Sequence, residues 1–154
     1  MGKGNRMTYL TEGEFKSIYS KVPRFCVELL VRIDEGFLLT LRSISPYKGR
    51  WHIPGGTVKY KETIFEALKR IAKEELGIEV EIRKLLGFAE YISEEKERGW
   101  GWPISMIFLC TVKSGTLTGS YQAEEIKAFR EIPQNIVPEQ KIFLQEKMSE
   151  ILAI

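Results

Sequence analysis

Aspartate is nearly absent from this 154-residue sequence, with Asp34 the single example, and histidine occurs once, as His52. Cysteine occurs twice, and Cys26 and Cys110 sit inside the apolar runs Phe25-Cys26-Val27 and Leu109-Cys110-Thr111 with no metal-site spacing between them. They read as small buried thiols in a reducing compartment, with a bond between neighbouring strands as the alternative. No apolar run has the length of a membrane span, and the opening residues MGKGNR lack the apolar core of a signal peptide, so a cytoplasmic protein is expected. The formal net charge is only +2, which gives no reason to expect a nucleic-acid or membrane partner.

The length suits one compact domain spanning residues 1–154, and 44% hydrophobic with 29% charged residues is ordinary for a globular chain. Thr11-Glu12-Gly13-Glu14 matches a capping box, and Phe15, Ile18 and Tyr19 follow at helical spacing. Strands are expected over residues 25–33 and 37–42, joined by the turn Asp34-Glu35-Gly36, and a loop runs over 43–50. A short strand over 51–53 stops at Pro54-Gly55-Gly56, and an amphipathic helix spans 62–76 with Gly77 as its end. Strands follow at 80–92, 104–113 and 126–132, and Pro138 opens a last helix. This order favours an α/β (α+β type) sandwich with a mixed central sheet over a doubly wound parallel sheet.

On the central helix, Ile64, Leu68, Ile71, Ala72 and Glu75 fall along one stripe at spacings of three and four. Four are apolar. Glu75 puts a carboxylate where the stripe predicts burial, which is costly without a cation or strong donor nearby. Glu74 lies about 100° round the helix, and two neighbouring carboxylates raise each other's pKa unless a cation sits between them. Mg²⁺, a hard ion that takes oxygen ligands and also binds phosphates, suits such a pair.

Gly56, Glu62, Arg70, Glu74, Glu75 and Gly77 stand at the fixed positions of the Nudix box, so residues 56–78 resemble the loop–helix–loop of that hydrolase family. The resemblance implies an α/β/α sandwich and Mg²⁺-dependent cleavage (Mn²⁺ a possible substitute) of a nucleoside diphosphate linked to another group. It also implies that Gly56, through its carbonyl, together with Glu74 and Glu75 holds the metal, that Arg70 fixes the carboxylates, and that Glu62 supports them. A Glu before the last strand often completes the site or acts as base in such enzymes; Glu125 is the candidate and Glu124 its reserve.

One box position departs from the pattern: Ile71 stands where a Glu is expected. Ile71 can simply extend the packing stripe. It can also mark the GDP-mannose mannosyl hydrolase branch, which carries an aliphatic residue there and attacks the sugar carbon. That branch is further resembled by residues 9–15 and by residues 37–56, where Arg42 matches an Arg that meets the diphosphate. Thr57 replaces a second Arg of the branch, and its catalytic His has no counterpart near Glu125. A third reading is lost activity, leaving a nucleotide-binding module. Against the nucleotide-sugar reading stands an ordinary pyrophosphohydrolase acting on ADP-ribose or a nucleoside triphosphate. Trp100, Trp102 and Tyr91 flank a Gly-rich loop and could stack on a nucleobase, cover the core or meet a second copy in the homodimer common among relatives. Trp51 reads as core, and His52, Lys48 and Arg50 as solvated or cleft-facing.

Overall fold

The computed structural model describes residues 9–117 and 123–153. Its elements in chain order are α1 (Glu12–Tyr19), β1 (Arg24–Ile33), β2 (Gly36–Arg42), β3 (Trp51–His52), β4 (Gly55–Thr57), α2 (Ile64–Ile71), β5 (Ile78–Glu90), α3 (Glu94–Arg98), β6 (Pro103–Gly115), β7 (Ala123–Phe129) and α4 (Pro138–Leu152). The sheet is mixed: β1 runs parallel to β6, and every other named pairing is antiparallel. The strand order is β3-β2-β1-β6-β5, with β4 added to β1 and β7 to β2. No helix among the described residues is long and apolar enough to cross a membrane.

Alternation along β1 sends Val27, Leu29 and Val31 to one face, where Ala67, Leu68, Ile71, Ala72 and Leu76 cover them. Leu30 points to the other face, among Phe37, Leu39, Leu109 and the α4 residues Phe143, Leu144 and Ile151. The sheet is thus sandwiched between α2 and α4, as the sequence pattern anticipates. Thr11 and Glu14 cap α1 reciprocally, at 3.1 and 2.9 Å.

Four local features differ from the pattern. The helix of the box is α-helical only to Ile71; residues Ala72–Leu76 form a wider π-type turn before Gly77 ends it at φ 72°. A π-turn holds more residues per revolution than an α-turn, so Leu76 swings into the core while Glu75, which the 3.6-residue stripe would bury, stays half-exposed. The short β4 appears where Gly55 and Gly56 pair with Glu28 and Val27; a Cβ at Gly55 would lie 2.5 Å from the Glu28 Cγ, so only glycine permits the approach. The charged segment after β5 contains the five-residue α3. The last strand covers Ala123–Phe129, not 126–132, because its register is set by pairing along β2, from Phe37 with Phe129 to Arg42 with Ala123. Cys26 and Cys110 are both free and buried.

Candidate active site

A cleft of about 420 Å³ opens between β1, the loops around β3 and β4, and the end of α2. One wall is organised by Arg70 in the last turn of α2. Its Nε and Nη2 donate to the two carboxylate oxygens of Glu62 at 2.7 and 2.9 Å, Nη2 also to the Thr57 carbonyl at 2.9 Å, and Nη1 to Glu74 at 3.2 Å. One guanidinium therefore ties β4, the loop ahead of α2 and the π-turn together. Burial pushes the Glu62 carboxyl up, but Arg70 and the Lys59 N–H, which donates to it at 3.0 Å, hold it below its ordinary value. Glu74, Glu75 and Gly56 line the cleft beside this hub. Ile71 is buried directly under Gly56, whose Cβ, if present, would lie 3.4 Å from the Ile71 Cδ1.

Cationic side chains line the same cleft. Arg42, at the end of β2, donates to the carbonyls of Pro46 and Ser45, and no ion pair among the described residues includes it. Burial lowers its pKa, and the nearby Arg98 and Arg24 add to that effect against Glu94 and Glu75. His52 also lines the cleft, with Nδ1 at 3.0 Å from the Thr40 carbonyl and 3.1 Å from its hydroxyl. Burial, with Arg42 adding to it, pushes its pKa down to about 3, so the imidazole is neutral at physiological pH.

Glu28 forms the floor. Tyr91 donates its hydroxyl to this buried carboxylate at 2.6 Å, and Gln140 Nε2 donates to Tyr91 at 3.0 Å and to Glu28 at 3.4 Å. Gln140 Oε1 accepts from the Ile53 N–H at 2.8 Å, linking α4 to the strand that leads into Gly55-Gly56. Burial raises the Glu28 pKa to about 7, although the donated hydrogen bonds restrain it. Pattern reasoning passed over Glu28 and Gln140; the visible signal was a charged residue at an inward position of the apolar run 25–31.

Gly56, Glu62, Arg70, Glu74 and Glu75 thus come together, and Arg42 lines the same cleft. Other candidates lie elsewhere. Glu125 is exposed on β7 opposite Leu41 and is not part of the cleft lining, and the Glu124 side chain lies outside the described residues. Trp100 stacks on the Arg98 guanidinium at 3.9 Å and meets Phe15 edge-on at 6.0 Å. Trp102 faces a separate, smaller hollow with Tyr19 and Val22. Neither indole lines the main cleft, whereas Tyr91 does. Trp51 is core, edge-on to Phe129 at 4.8 Å.

Among the described residues, no group of three or more His, Cys, Asp or Glu side chains is placed to share one ion. The oxygen atoms that Glu74, Glu75 and the Gly56 main chain bring to the cleft would make a set of two carboxylates and a carbonyl. That fits Mg²⁺, which is held by one or two carboxylates and completes its shell with water and substrate phosphate.

Fold and cleft define a class: an α/β/α sandwich whose acidic loop–helix–loop faces a row of arginines. The NUDIX domain profile matches residues 22–152, and the chain belongs to that family. The low-salt glycan biosynthesis protein Agl8 of Haloferax volcanii is 39% identical over 90 residues, 58% of this chain and 58% of that protein. An ADP-ribose pyrophosphatase of Methanocaldococcus jannaschii is 35% identical over 107 residues, 70% of this chain and 62% of that protein. The chain thus spans less than two thirds of either relative. The MutT NUDIX hydrolase of Burkholderia pseudomallei superposes with a TM-score of 0.72 at 26% identity, covering 80% of this chain and 97% of that one. A MutT protein of Methanosarcina mazei gives 0.71 at 24%, over 83% and 95%.

Proposed function

We propose that this chain hydrolyses a nucleoside diphosphate linked to a further group, with a nucleotide sugar such as GDP-mannose as the favoured substrate. The observation that carries the reading is the Arg70 hub, which fixes Glu62 and Glu74 beside Glu75 and Gly56, with Arg42 lining the same cleft. Gly56, through its carbonyl, with Glu74 and Glu75 would hold Mg²⁺, or Mn²⁺ in its place. When bound, the ion supplies positive charge for the diphosphate and acidifies water.

The chain's own groups divide the remaining tasks. Arg42, preorganised by two carbonyls and desolvated, receives diphosphate oxygens. The Glu28 carboxylate in the cleft floor, held in place by Tyr91 and Gln140, offers acceptor capacity to a hydroxyl-rich linked group, which favours a sugar over a bare triphosphate. Glu28 is the carboxylate of the cleft suited to take a proton near neutral pH, and Glu125 could serve only by reaching in from β7. His52, held neutral by burial, orients Thr40 and is no base near pH 7. The buried free thiols fit a reducing, cytoplasmic setting.

The second reading, pyrophosphate cleavage of ADP-ribose, is favoured by the named activity of the Methanocaldococcus relative. Turnover of GDP-mannose and ADP-ribose with Mg²⁺ in ¹⁸O-water separates the two: label in the sugar means attack at carbon, label in phosphate attack at phosphorus. Glu75→Gln should lower kcat by about a hundredfold or more. Nucleotide binding without turnover, or turnover indifferent to that substitution, would leave a silent binding module instead.

A further inference from the structure

Arg24 opens β1 and Arg98 closes α3, and both lean on one carboxylate, the buried Glu94. Arg24 Nη2 donates to Glu94 Oε2 at 3.3 Å, and Arg98 Nη2 donates to the same oxygen at 2.6 Å. Arg24 Nη1 is spent on Thr57 Oγ1 at 2.8 Å and Cys26 Sγ at 3.1 Å. The Nε atoms of both arginines are buried with no hydrogen-bond partner. Phe15 lies 5.4 Å from the Arg24 guanidinium, and Trp100 lies 3.9 Å from that of Arg98, so aromatic rings take the place of solvent around them. All three charged residues line the same cleft as Arg42.

A clamp between α3 and β1 needs one arginine for Glu94; the second leaves a surplus positive charge. Two guanidinium groups packed together at reduced solvation repel and carry unsatisfied donors, and both costs fall when an oxyanion joins them. Their planar forks match a carboxylate or a phosphoryl group. Arg42, and the cation that Glu74 and Glu75 would hold, already answer the diphosphate, so this charge lies beyond what a simple nucleotide sugar uses.

We propose that Arg24 and Arg98 form a second anion subsite, which takes a carboxylate or phosphoryl group that the substrate carries in addition to its diphosphate. The proposal rests on the hydrolase reading above. Under it, the substrate is a nucleoside diphosphate linked to an acidic group, such as a nucleotide uronate, or one bearing a further phosphate on its nucleoside.

Calorimetric titration of the full chain without divalent cation tests this free of turnover. One arm compares UDP-glucuronate with UDP-glucose and GDP-mannuronate with GDP-mannose; the other compares ADP-ribose 2′-phosphate with ADP-ribose. The more anionic member of at least one pair should bind about tenfold tighter or more, as expected for a charge-assisted bidentate contact, and the arm that responds names the source of the anion. Arg98→Met should bring that ratio close to one, and Arg98→Lys, which keeps the charge and loses the fork, should retain part of it. Equal affinities in both arms, failure of every ligand to bind, or a preference that survives both Arg98→Met and Arg24→Met would overturn the subsite. Turnover with Mg²⁺, measured on the same ligands, fails or succeeds independently, so a binding preference without hydrolysis would sink the hydrolase reading while keeping the subsite.

Discussion

The two faces of the sheet bury apolar side chains in the same way but treat polar groups differently. Under α2, the cluster around Val27, Leu29, Leu68, Ile71, Leu76 and Phe108 is apolar throughout, with Thr40 bonded to His52 at its margin. Under α4, an equally dry cluster surrounds a buried carboxylate, a phenol and an amide: Glu28, Tyr91 and Gln140. The α2 face carries the element that presents Glu74, Glu75 and Arg70; apolar packing holds that helix on the sheet, and the Arg70 hub fixes the carboxylates at its end. The α4 face meets the cleft floor and keeps polar groups that cost stability unless fully bonded. Apolar packing under α2 and the buried polar floor under α4 are thus assigned to different faces, and substitutions on each should separate them.

The largest effect is expected on the dry face. Leu68 is fully buried between α2 and the sheet, and Leu68→Ala removes its contacts without removing any cleft group. A cost of about 2–5 kcal/mol is expected, read as a lower denaturation midpoint with an unchanged m-value. The activity of the molecules that remain folded should stay within a few-fold. A large loss of kcat with little loss of stability would mean that the two faces do not divide the work as described.

The α4 face should instead announce itself through pH. The Glu28 carboxyl is raised from an ordinary value of 4.5 to about 7. Between those values the folded chain holds a proton that the unfolded chain has released, so stability from this group is complete below pH 4.5, declines as pH rises, and levels off above 7. The full effect is at most about 3 kcal/mol. Glu28→Gln removes the titration, so its melting temperature relative to the parent should climb between pH 5 and 8, while turnover falls. Parallel pH profiles for the two proteins would show that Glu28 is ionised throughout and that the floor is wetter than its burial implies.

How much of this was written in the sequence follows from the range of the interactions. Local signals sufficed for the capping box at Thr11, the turn at Asp34-Glu35-Gly36 and the start of α4 at Pro138, because each depends on residues within one turn of one another. The spacing of Gly56, Glu62, Arg70, Glu74 and Glu75 was equally visible, and the structure gathers them on one wall. The π-turn was not, since helical periodicity assumes one constant angle per residue and here the core's claim on Leu76 overrides it. Gln140 and Glu28 meet across 112 positions, and Arg24 and Glu94 across 70. No pattern within a window joins such residues; only the parallel pairing of β1 with β6 and the return of α4 over the sheet bring them together.

The smallest predicted effect contrasts how the two covering helices begin. At α2, Thr63 Oγ1 accepts from the Glu66 N–H at 3.1 Å while the Glu66 carboxylate accepts from the Thr63 N–H at 2.9 Å, a closed pair on the surface. At α4, the residue before the helix is Val137, which offers no side-chain cap, and its start is held by Pro138 and by Gln140 reaching to Ile53. Thr63→Ala should therefore cost about 1 kcal/mol and lower the melting temperature by roughly 2–4 °C. Turnover should not change by more than about twofold, because Glu62 next to it is fixed independently by Arg70 and the Lys59 N–H. If Thr63→Ala instead cut kcat about tenfold, fraying at the start of α2 would be reaching Glu74 about three turns away, and the acidic wall would owe its geometry to the helix end as much as to the Arg70 hub.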